Sequence, residues 1–194
     1  MSSDKKAFEL NFNLYLGDPD DGVASISSVD VLENFGSHQE TLPFADGLYG
    51  HLTLQRAGKS QLEPIPDPIA RMLTSLARVM PYVLEGEPES ALMQESEHGF
   101  LLEPNGENVL FSVFSGNDAY DPEEYVLEAE SMPLIEFGDQ LVQMCNRLLQ
   151  IFEKNGSDDA RDTDSIEDLQ RILDVAREAV KSAKLKNEHG IGHH

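Results

Sequence analysis

The chain has 194 residues, of which 36 are acidic and 14 basic, for a formal net charge of −22 at pH 7. That length suits one well-buried core with a terminal appendage, and a hydrophobic content of 40% is enough to drive folding against the charge. So negative a field excludes DNA, RNA and anionic membrane surfaces as natural partners, since their phosphates need Lys and Arg, and favours a basic protein surface.

Cys145 is the only cysteine, so neither an intramolecular disulfide nor a Cys-rich zinc site can be built. The opening "MSSDKKAFEL" lacks the apolar run of a signal peptide, and no segment approaches the roughly 20 apolar residues of a membrane helix. The expectation is a soluble, cytoplasmic protein.

In "FELNFNLYL", Phe8, Leu10, Phe12, Leu14 and Leu16 alternate with Glu9, Asn11, Asn13 and Tyr15. A period of two predicts a half-buried strand. The turn-forming "GDPDDG" follows, and "VASISSVDVL" (23–32) is predicted to return as the second strand of a hairpin. "LYGHLTLQ" (48–55) alternates weakly and predicts a third strand.

Asp67 as N-cap and Pro68 at the first helical position predict a helix over 67–85. Its apolar stripe is Ile69, Leu73, Leu76, Met80 and Val83, with Gly86 as a stop and Pro81 as an expected kink or early end. In "GFLLEPNGENVLFSVF", Asn105-Gly106 predicts a type I′ hairpin turn, placing Leu102 opposite Val109 and Phe100 opposite Phe111. "EEYVLEAE" (123–130) predicts another strand, with Tyr125 and Leu127 on one face and Glu124, Val126, Glu128 and Glu130 on the other.

From Pro133 the period becomes helical through Leu134, Phe137, Leu141, Met144, Leu148 and Ile151, predicting a helix over 133–153. The polar linker 155–163 separates it from a last amphipathic helix, 164–187, striped by Ile166, Leu169, Leu173, Ala176 and Val180. This helix either packs alongside the domain or stands off from it, and its narrow stripe and polar linker favour mobility or an intermolecular contact, including a homodimer through this helix. The His- and Gly-rich tail, 188–194, stands outside the fold argument. The organisation is thus a single α+β domain over 1–154 with linker, helix and tail appended. The expected architecture is an antiparallel, meander-like sheet of about five to seven strands against two or three helices.

No chemistry-bearing motif emerges. Aligning Gly22 of "GDPDDG" to the glycine of a calcium loop puts Gly17 and Ser28 where carboxylates belong, so that match fails. There is no G-x-S-x-G, H-E-x-x-H, phosphate-binding or dinucleotide-binding glycine pattern. His51 reads as a satisfied histidine in a strand and His98 as an exposed turn residue. No metal and no cofactor is expected.

Charge segregation is more informative. Between Arg78 and Arg147 lie 68 residues with 15 acids and no Lys or Arg. Within them, "DAYDPEEYVLEAES" sets Tyr120 and Tyr125 among Asp118, Asp121, Glu123, Glu124, Glu128 and Glu130. Aromatic anchors beside one sign of charge suit the docking of a basic protein partner. These eight residues form the candidate partner-binding site. The profile of a small, acidic, motif-free α+β chain is similar to that of bacterial immunity proteins that neutralise toxins, such as nucleases with basic active sites. The resulting expectation is a non-enzymatic inhibitor-type binding protein. A secretion-chaperone-like adaptor, or a hydrolase using carboxylates with His51 or His98, are the alternatives.

Overall fold

Strand β1 (Glu9–Tyr15) follows the predicted alternation, with Leu10, Phe12 and Leu14 buried on its core side. The computed structural model describes residues 8–156 and 163–188. A short 3-10 turn, Pro19–Asp21, capped by Asp18, leads to β2 (Ser25–Ser27), which pairs antiparallel with the end of β1. The predicted second strand stops there. Ser27 Oγ accepts the backbone N–H of Val29 at 3.2 Å, and this cap starts helix α1 (Ser28–Glu33), followed by α2 (Phe35–His38). A capping serine ended the extended run within "SISSVD", which alternation over 23–32 could not reveal.

β3 (Tyr49–Arg56) pairs with residues 9–14 of β1, and two short strands, β4 (Lys59–Ser60) and β5 (Asp67–Pro68), add to β3. Helix α3 (Ile69–Leu84) then continues one turn past Pro81 and ends at Gly86, whose φ is 95°. Asp67 is not its N-cap. The cap position is Pro68, without a side-chain cap, and Asp67 is fully buried in β5. Its carboxylate accepts the backbone N–H groups of Gln94 (3.0 Å), Glu95 (2.8 Å) and Ser96 (3.1 Å).

A second sheet is formed by β6 (Glu89–Leu92), β7 (His98–Asn105), β8 (Asn108–Ser115) and β9 (Glu124–Pro133), in that order and antiparallel throughout. The antiparallel α+β class is therefore as expected, but the strands divide between two sheets rather than one. The β7–β8 register differs from that of an Asn105-Gly106 turn. Asn105 pairs with Asn108, Leu102 with Phe111 and Phe100 with Val113, leaving Gly106-Glu107 as the loop. Gly106 has φ 62°, whereas Glu107 is not among the positive-φ residues. A type I′ turn needs positive φ at both central positions, and a turn with it only at the first is of the II′ kind.

Helix α4 (Leu134–Asn155) and helix α5 (Thr163–Glu188) complete the chain. α3 and α4 contact strands of both sheets, and α5 packs on α3 and α4. Phe100 stacks on Phe111 at 5.7 Å between centroids, and Phe111 meets Phe137 of α4 at 5.5 Å. Each such fully buried side chain contributes about 1.5–3 kcal/mol of transfer free energy. The α5 stripe is consumed within the molecule: Leu169, Leu173, Ala176 and Val180 are all buried. The homodimer expectation rested on that stripe being open, and it is covered by α3 and α4 instead. Most of the expected linker and all but Glu188 of the expected tail lie outside the described residues.

Gln140 shows how α4 is seated. β2 pairs only with residues 13–15 of β1, so none of the described strands covers that edge at the start of β1. Gln140, buried in α4, accepts the Leu10 N–H at 2.7 Å and donates to the Phe8 carbonyl at 3.3 Å. One side chain thus satisfies the donor and acceptor that a neighbouring strand would otherwise meet.

Candidate docking surface

The middle of the base-free span forms one structural unit. Residues 89–133 comprise all of β6–β9 with their connections, and they carry 11 acids and no Lys or Arg. By contrast α5, residues 163–188, carries five Lys or Arg among six acids. Four of its five cations pair with carboxylates of α5 itself or of α4. Arg177 pairs with Asp174 at 2.7 Å and Lys184 with Asp139 of α4 at 2.7 Å. Arg171 beside Asp168, aided by Arg78 of α3, holds that carboxyl below its usual range. The second sheet is therefore left with a nearly uncompensated negative field.

Asp118 Oδ1 accepts the N–H of Tyr120 at 2.9 Å, a turn that lays Ala119 over Leu101 and Phe114 on the outer face of the second sheet. Tyr120 beside it is 69% exposed. Tyr125 packs, half-buried, on that same outer cluster. Val126 and Leu127 instead pack against the main core. The expected division of faces thus fails, and the cause lies in the pairing. Between Phe111–Glu130 and Phe114–Tyr125 the register with β8 shifts twice, leaving Val126, Glu128 and Ala129 without a partner residue. Ala129 sits at φ 49°, its N–H held by Ser112 Oγ at 2.8 Å. Each bulge turns following side chains to the other face.

Five of the six predicted carboxylates, those of Asp118, Asp121, Glu123, Glu124 and Glu128, are exposed. Glu130 is not available in the same way. Arg56 of β3 meets its carboxylate at 2.5 Å and donates to the Ser131 carbonyl at 2.7 Å. An open cleft of about 660 Å³ lies between residues 60–64 and 124–126, with the exposed Glu63 on its far wall. Sequence reading missed this cleft and the Asp67 pin, because neither has a local signature.

The two histidines of the hydrolase alternative, His51 and His98, are both withdrawn from full exposure. His51 is 4% exposed, with the Tyr15 ring 5.3 Å away, and burial lowers its pKa, so it is neutral at pH 7. His98 opens β7 and is partly buried, not an exposed turn residue. The Nδ1 atoms of both are buried without a hydrogen-bond partner, so His51 is not the satisfied histidine expected. Among the described residues, no group of three or more His, Cys, Asp or Glu side chains is placed to hold a metal ion. None of the described helices is long and apolar enough to cross a membrane.

No protein family, curated protein or solved structure matches this chain.

Proposed function

We propose that this chain is a non-enzymatic, acidic binding protein that occupies a basic protein partner in the cytoplasm, in the manner of an immunity or inhibitor protein. The observation that carries this reading is the second sheet, 45 residues from Glu89 to Pro133 without one Lys or Arg. Crowding one sign of charge costs stability through self-repulsion, and steering of a cationic partner offsets that disadvantage functionally. Exposed Tyr120 and half-buried Tyr125 supply apolar contact area within the acidic rim.

The test is capture of partners by the wild-type chain and by a variant with Asp118→Asn, Asp121→Asn, Glu123→Gln, Glu124→Gln and Glu128→Gln. Glu130 is left in place because Arg56 depends on it. The expected result is one basic protein whose binding weakens by about tenfold or more in the variant and with added salt. Equal capture by both chains at low salt would refute the reading.

A further inference from the structure

We propose that the outer edge of β9 takes up an extended Lys- or Arg-rich segment of the partner as an added strand, lying in the cleft between residues 60–64 and 124–126. This rests on the acidic-binder reading and specifies how the partner is held. β9 is the last strand of its sheet, and none of the described strands pairs with its other side. An open edge presents N–H and C=O groups ready to pair with another chain. The opposite edge strand, β6, has only four residues, whereas β9 has ten.

The two ends of the β9 edge differ. At the C-terminal end Arg56 already supplies a donor to the Ser131 carbonyl and neutralises Glu130. Toward the N-terminal end residues 60–64 and 123–130 contain no base, the exposed Lys59 lying just before the first of these stretches, while Glu63, Glu123, Glu124 and Glu128 are all exposed. The two register shifts fall here, so Val126 and Glu128 have no partner residue on β8. A strand sits about 4.8 Å from its neighbour, and a cleft of about 660 Å³ accommodates a short extended segment beside residues 124–126. The charge selects the occupant. A second copy of this chain, itself at −22, would bring like charge to the edge, whereas alternating cationic side chains would meet carboxylates on both walls.

The experiment uses the full chain and two fluorescent peptides of about ten residues alternating lysine and valine, one N-methylated at consecutive amides so that it keeps its charge but lacks ladder donors on both of its edges. Binding is read by anisotropy at about 50 mM salt and mapped by backbone amide NMR. The expected outcome is binding of the unmethylated peptide and loss of about tenfold or more on methylation. Amide shifts should concentrate at 124–129 and 60–64, and Glu63→Gln with Glu124→Gln should weaken binding several-fold. Equal binding of both peptides, with shifts spread over the outer face, would overturn strand addition while leaving the acidic-binder reading intact. Failure of both peptides to bind would overturn strand addition and the acidic-binder reading together.

Discussion

Replacing Asp67 by asparagine keeps the side chain's shape while turning one of its two acceptor oxygens into a donor. In the wild-type chain Oδ1 accepts from Glu95 and Ser96, and Oδ2 accepts from Gln94. An asparagine oriented to keep the two bonds at Oδ1 sets its NH₂ against the Gln94 N–H, so one bond becomes a donor–donor contact. Hydrogen bonds to charged groups contribute about 1.5–3 kcal/mol each, which places the ceiling for losing all three near 9 kcal/mol. Gln94 and Glu95 are exposed residues, so their amides recover water in part, and the carboxylate no longer bears its own desolvation. The net loss for Asp67→Asn is then about 2–4 kcal/mol, and for Asp67→Ala, which also leaves a void, about 3–5 kcal/mol. In a chain of this size the asparagine variant should melt about 5–12 °C lower. Urea unfolding at constant slope measures the loss, with exposed Glu97→Gln as control, and amide exchange should quicken at residues 94–96 first. Because this carboxylate joins β5 of the first sheet to the β6–β7 connection of the second, the loosening should spread between sheets. Both variants lying within about 0.5 kcal/mol of wild type, the range of ordinary surface substitutions, would refute the reasoning.

Docking of α5 can be tested at Gly138, where an added Cβ would come 2.9 Å from Val180 Cγ2. Gly138→Ala should destabilise by about 1–3 kcal/mol in urea unfolding, and Val180→Ala should recover part of that loss; no recovery would mean that α4 and α5 do not meet there. Cys145 is fully buried, with its thiol pushed up to about 12, so it should resist thiol reagents at pH 8 and react only on unfolding. The unfolded thiol ionises from an ordinary value of 9.0, so above that pH the native state holds the extra proton. Stability should therefore be full below pH 9 and fall as pH rises toward 12, an alkaline loss that Cys145→Ala should reduce in pH-dependent unfolding.

What the sequence determined by itself was whatever follows from local periodicity. Alternation at Phe8–Leu16 and stripes such as Phe137–Leu141–Met144–Leu148 mark the buried side directly, because a strand or helix presents one face to the core wherever that core lies. Composition and order likewise marked the base-free span and its acidic stretch. Tertiary structure decided what depends on distant partners. Asp67 looked like a helix cap because caps are local, yet its carboxylate is claimed by amides 27–29 residues away. The Gly106-Glu107 loop and the bulges at Val126–Ala129 are set by pairing across strands, which moved the hairpin register and parted Tyr125 from Leu127. Glu130 reads like its acidic neighbours until Arg56 arrives from another sheet. The charge of the candidate surface was legible in the chain, but its free edge and its cleft exist only where two separately folded stretches meet.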